Sequence, residues 1–193
     1  MPAAIATREE VLQRLLLTFR RHGYESASLA LISEATGLGK ASLYHHFPGG
    51  KREMMLSVLE YIEAWFTREV LGPLTASGDP ARRIEAMFDF LQRYYQDGRE
   101  ACLLGVLSLE ETRDFYQARL TRLFADWIDA LANPLRALGW PRAQARRAAT
   151  RAIARIQGAL VIARGLGDTS AFTSEMAALR TELTRPAARA AAH

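Results

Sequence analysis

The sequence contains a single cysteine, Cys102, which rules out an intramolecular disulfide. No uninterrupted apolar stretch approaches the ~20 residues of a membrane-spanning helix. The opening MPAAIATREE lacks the apolar core of a secretory signal, so the expectation is a cytoplasmic protein that does not enter a membrane. Period-two alternation of apolar and polar residues is missing, which argues against strands. Lysine is nearly absent: of the 25 basic residues, only Lys40 and Lys51 are lysines. The chain also shows neither a nucleophile–base set nor a metal-ligand set at recognisable spacing. That favours a binding protein over an enzyme, with no cofactor and no metal.

What remains is an ordinary globular composition, 49% hydrophobic and 24% charged over 193 residues, long enough to bury a sizeable core. The net charge of +4 permits a polyanionic partner without demanding one. Apolar residues recur at helical spacing from end to end, which predicts an all-α chain of about nine helices. Thr7 and Glu10 stand at capping-box spacing and open a first helix whose apolar face is Val11, Leu12, Leu15, Leu16 and Phe19. His22-Gly23 closes it. Ser28 caps a second helix, which carries Leu29, Ile32 and Ala35 inward and stops at Gly37. A very short third helix spans about 40–47, before Pro48-Gly49-Gly50. A fourth is expected over about 51–71, ended by Gly72-Pro73. Asp79-Pro80 opens a helix reaching about Gln96, and a short apolar one lies near 102–109. The strongest period runs from Thr112 to about Leu138, with Pro134 near its end. Two last helices cover about 142–164 and 170–183, and the Ala/Arg-rich tail from Pro186 is expected to fray.

One stretch carries most of the functional information: GLGKASLYHHFPGGK, residues 37–51. It joins two short helices through the turn Gly37-Leu38-Gly39, with Ile32, Leu38 and Leu43 inward. Small and apolar residues at these offsets make a helix-turn-helix. The third helix is too short to be stable alone, so Leu43 and Phe47 must anchor it while its outer face stays free. Residues 11–59 resemble the DNA-binding domain of the TetR family of bacterial transcriptional repressors. The match rests on Phe19, Gly23-Tyr24, Ser28, Ile32, Gly37, the run Lys40–Phe47, Lys51 and Met55. The Pro-Gly-Gly form is similar to the LmrA/YxaF-like branch. The chain departs from the family at Ala27, Gly39 and Ala41, where Thr, Ser or Thr, and Gly are common. Losing hydroxyls at 27 and 39 removes phosphate contacts and bears on the operator sequence.

Lys40 opens the third helix and suits a phosphate or a guanine edge, and Ser42 shares its exposed side. Ala41 can meet a thymine methyl, and His45 can reach the major groove. Ser28 is a cap that can also donate to phosphate. Lys51 starts the fourth helix, where free N–H groups and the dipole favour an anion. The resemblance implies that Tyr44 contacts phosphate through its hydroxyl. A nucleotide loop is excluded because GGK lacks the required glycine spacing and Ser/Thr. His45 and His46 diverge by about a hundred degrees on a helix and do not chelate one ion. Cys102 reads as a buried thiol.

The resulting expectation is a helix-turn-helix domain over residues 1–50 and a helical ligand-binding and dimerisation domain over 51–193. The chain would form a homodimer through helices about 142–164 and 170–183, with Leu160 near the two-fold axis. It would bind a double-stranded DNA operator with palindromic symmetry, and a small apolar or amphipathic effector would release it. Phe88, Tyr95, Phe115, Phe124 and Trp127 are the candidate ligand contacts; at helical spacing they serve equally as plain core. Arg147, Arg151 and Arg155 form a stripe best read as a solvated face. A constitutive DNA-binding protein without effector is the alternative.

Overall fold

The computed structural model describes residues 7–111 and 114–186. Among them every regular element is helical. The helices are α1 Arg8–Ser26, α2 Leu29–Thr36, α3 Lys40–His46, α4 Gly50–Phe66, α5 Gly72–Thr75, α6 Pro80–Tyr94, α7 Leu103–Ser108, α8 Gln117–Ala137, α9 Arg142–Leu166 and α10 Ser170–Leu183. They divide into two compact units: residues 1–64 with 102–120, and residues 65–101 with 121–193.

In the first unit, the capping box forms as its spacing predicts. Thr7 Oγ1 accepts from Glu10 N at 3.3 Å, and Glu10 Oε2 accepts from Thr7 N at 2.7 Å. Val11, Leu15 and Phe19 are buried on the inner face of α1. Gly23 breaks the helical path at φ 75°, ψ 175°. Ser28 Oγ caps α2 by accepting from Leu31 N at 3.2 Å, and Gly37, left-handed at φ 71°, ends it. Ser33 Oγ then donates to Leu38 O at 2.6 Å, tying the turn down. Leu43 and Phe47 are fully buried and hold α3, and Met54, Met55, Val58, Leu59 and Ile62 form the inner face of α4. Helix α7 packs on α1. Thus a segment far along the chain, 102–120, belongs to the same compact unit as the helix-turn-helix.

The second unit is built around Trp127, fully buried, whose Nε1–H points at Met87 Sδ at 3.5 Å. Phe66 meets the Trp127 ring edge-on at 5.4 Å. Phe88, Leu91, Phe172, Met176 and Leu179 complete the core, with α10 packed on α6 and α9. Gly98, at φ 97°, lies so near Phe172 that an added Cβ would stand 2.7 Å from its Cβ. Only glycine fits there.

Some expectations change. Gly72-Pro73 does not break the chain: α4 passes through a π-turn at Thr67–Leu71 into α5. Gly72 N–H reaches back to Thr67 O, one residue further than α-helical bonding. The wider turn makes room for Pro73, which has no N–H to give and whose ring would crowd the preceding turn. The strongest period yields α8 from Gln117; its expected start at Thr112 lies outside the described residues, as does the tail beyond Pro186. Pro134 is accommodated inside α8, which ends three residues later at Ala137. Leu160 is 2% exposed within its own unit. It faces that core rather than an outer surface.

Candidate nucleic-acid interface

The exposed side of the helix-turn-helix carries Ser28, Lys40, Ala41, Ser42, Tyr44 and His45. All six lie on α3 or at the cap of α2. The inward partners explain this division: with Leu43 and Phe47 buried, the helical period turns 40, 41, 42, 44 and 45 outward. Helix α3 contains no acidic residue and ends on His45 and His46. Nothing on it repels a polyanion. The His45 and His46 rings diverge by 71°, and His46 leans on Phe47.

Tyr44 is 41% exposed and stands beside the start of α4. Gly50, at φ 65°, faces its ring; a Cβ there would lie 3.5 Å from Tyr44 Cε1 and 3.9 Å from its hydroxyl. The Tyr44 hydroxyl therefore sits beside a helix N-terminus, where free N–H groups attract anions. Two features of this corner escape sequence reading. Glu53 Oε2 accepts from Gly49 N at 2.6 Å, so the helix start already carries its own carboxylate. The four-residue spacing of Gly49 and Glu53 is the available signal. Lys51 is half-buried: its ammonium donates to Glu25 O at 3.2 Å and lies 4.6 Å from the centre of the Tyr24 ring. The carbonyl uses one of its three N–H donors.

Tyr24 heads an aromatic cluster in this unit. Phe115 meets it edge-on at 5.1 Å and Tyr116 at 6.2 Å. Burial raises the Tyr24 pKa; Arg52 works against this and Glu110 adds to it. Burial, reinforced by a hydrogen bond to Glu110, pushes the Tyr116 hydroxyl well above the usual range. Both remain protonated donors at neutral pH.

The candidate ligand aromatics do not gather as a set. Phe88, Tyr95 and Trp127 are buried in the second unit and Phe124 is half-buried there. Phe115 belongs to the first unit, packed on Tyr24 with the Arg52 guanidinium 5.1 Å from its ring centre. The arginine stripe is also divided. Arg155 pairs with Glu175 and Glu182, whereas Arg147 and Arg151 are exposed.

Residues 16–58 match the model for bacterial regulatory proteins of the tetR family. Residues 80–178 match the C-terminal domain of LmrA/YxaF-like transcriptional regulators. The HTH-type transcriptional regulator LmrA of Bacillus subtilis is 26% identical over 160 residues, covering 81% of this chain and 85% of that protein. An uncharacterized HTH-type regulator of Lactococcus lactis is 27% identical over 188 residues, covering 93% and 94%. A TetR transcriptional regulator from Legionella pneumophila shares the fold at TM-score 0.77 and 21% identity, over 93% of this chain and 99% of that one. The regulator CifR, solved as a cysteine mutant with 26-bp double-strand operator DNA, superposes at TM-score 0.71 and 23% identity, over 93% and 98%. With an N-terminal and a C-terminal match in the expected order, the chain belongs to the TetR family, in its LmrA/YxaF-like branch, and is a DNA-binding transcriptional regulator.

Proposed function

We propose that this regulator is a cytoplasmic repressor that binds a palindromic operator as a homodimer and leaves it when a small apolar or amphipathic ligand binds. Residues 1–50, together with Lys51 at the start of α4, dock on DNA, and the rest of residues 51–193 regulates and dimerises. The observation that carries the reading is α3, pinned from within by Leu43 and Phe47 while Lys40, Ser42, Tyr44 and His45 stay exposed. In a major groove, Lys40 takes a guanine edge or a phosphate, Ala41 a thymine methyl, and Ser42 and His45 base-edge hydrogen bonds. Ser28, Tyr44 and the remaining donors of Lys51 take backbone phosphates.

Dimerisation through α9 and α10 is supported by the outer face of α9. Val161, Ile162 and Leu166 are 66%, 53% and 70% exposed, close together near its end. Bulky apolar side chains left open this way suit a self-complementary interface. Phe88, Tyr95, Phe124 and Trp127 are the ligand contacts on this reading, and Phe115 serves the first unit instead.

The test begins with selection of duplexes from a random-sequence pool. Enriched sites should be palindromes whose half-sites are centred about 34–36 Å apart, one DNA turn. Hydrophobic compounds are then screened by tryptophan fluorescence, with and without the selected duplex. A releasing ligand must bind more weakly when DNA is present, by the same factor that it weakens DNA binding, typically about 1–3 kcal/mol. A pool without enrichment would overturn the operator reading. A ligand of equal affinity in both conditions is no inducer, and enrichment without any releasing ligand favours constitutive binding.

A further inference from the structure

The 102–120 segment reaches the DNA-docking corner with a carboxylate as well as with aromatic rings. Glu110 Oε1 accepts from Glu25 N at 3.1 Å, across 85 positions of sequence. Glu110 Oε2 accepts from the buried Tyr116 hydroxyl at 2.8 Å. The approach to the backbone is possible because residue 23 is glycine: a Cβ there would overlap Glu110 Oε1, and its φ of 75° is itself unfavourable for other residues. Glu25, held at its N–H by Glu110, holds Lys51 at its carbonyl, 3.2 Å from Nζ. The Tyr24 ring under the Lys51 ammonium is walled by Phe115 and Tyr116 of the same segment.

We infer that Glu110 is a positioning residue for operator binding: by fixing Glu25 it sets where the Lys51 ammonium stands, and so how well Lys51 meets a DNA phosphate. The inference rests on the reading of Lys51 as a phosphate contact. Glu110 itself touches no DNA on this account. A negative charge near a polyanion is tolerable here because its oxygens are occupied by Glu25 N–H and the Tyr116 hydroxyl. The segment that follows α7 thereby acts on the docking corner through the folded backbone and not through a surface of its own.

The experiment is a double-mutant cycle with Lys51→Ala, Glu110→Ala and both together, on the full chain, titrated at several salt concentrations with a duplex selected on wild-type protein. Lys51→Ala should weaken binding about tenfold, the worth of one charge-assisted hydrogen bond, and reduce the salt slope by about one unit. Glu110→Ala should lose several-fold and shift the salt slope in the same direction, although it removes a negative charge. The double variant should bind no more weakly than Lys51→Ala alone. If the two losses multiply, or Glu110→Ala leaves the slope unchanged, Glu110 is merely structural and the inference fails. If Lys51→Ala binds like wild type, the phosphate reading has failed and the inference falls with it. Circular dichroism melting checks folding. Should Glu110→Ala not fold, Glu110→Asp, charged but one methylene short of Glu25 N–H, replaces it in the same cycle under the same criteria.

Discussion

Helices α3 and α9 leave opposite chemistries uncovered. Helix α3 has seven residues, and its open side offers an ammonium, a hydroxyl, a phenol, an imidazole and one methyl. Helix α9 has 25 residues and buries a row of alanines at 145, 148, 149 and 152. Near its end, Val161, Ile162 and Leu166 stay open. A DNA groove satisfies donors and acceptors but gives little to a leucine. A second protein surface does the reverse, since removing apolar area from water supplies its binding energy. Their stability differs too. A seven-residue helix cannot hold itself together in water, so α3 depends on its two buried anchors, whereas α9 has a long hydrogen-bond ladder of its own. On the proposed reading, outward chemistry, more than length or regularity, separates the nucleic-acid face of α3 from the protein face of α9.

Several substitutions would break or sharpen that contrast. The largest effect is expected from Phe47→Ala, which empties a fully buried site and should cost about 3–5 kcal/mol of stability. Thermal melting would show the loss, and DNA binding should disappear with it. Next comes Val161→Arg on the open side of α9. Burying that charge in the proposed dimer should cost about 3 kcal/mol of association while the monomer stays folded. Sedimentation should show monomers; an unchanged dimer would move the interface elsewhere. Ser28→Ala removes both the α2 cap and a proposed phosphate donor, and should cost about 1 kcal/mol of stability. Urea melts read the first effect and DNA titration the second. The smallest effect is alkaline. Folded Tyr24 and Tyr116 hold their protons more tightly than an unfolded tyrosine. Their contribution is fully present below the unfolded value of about 10 and is lost as pH rises above it. Stability should therefore fall above that pH, and Tyr116→Phe should flatten the fall.

Local rules read the caps and turn of the first two helices well because their signals are local, whereas Ala35, expected inward on α2, is exposed. Thr7 with Glu10, Ser28, and Gly37 each act within four residues, and each does in the structure what its spacing predicts. Reading failed where bonding left the expected pattern or crossed the chain. The π-turn before Pro73 is invisible to a 3.6-residue period. Leu160 and Val161 are adjacent and both apolar, so composition cannot say which faces the core; the structure buries the first and exposes the second. Phe115 lies within the sequence stretch assigned to regulation, yet it folds onto Tyr24. The Glu110–Glu25 hydrogen bond spans 85 positions, and no short motif announces it. The exposed side of α3 was legible as a surface, while the hydrogen bonds from Glu25 to Glu110 and from Lys51 to Glu25 behind it were not.

The most direct test of the account is the discrimination shown by Lys40→Ala. Lys40 is exposed at the first position of α3, capped only by the backbone of Gly39. If α3 reads base edges, the variant should lose about 1–3 kcal/mol on a selected duplex and far less on a random-sequence duplex, so the specificity ratio collapses. Equal losses on both duplexes would make Lys40 a phosphate contact only. Wild-type affinity and wild-type discrimination together would contradict the claim that α3 is the recognition helix.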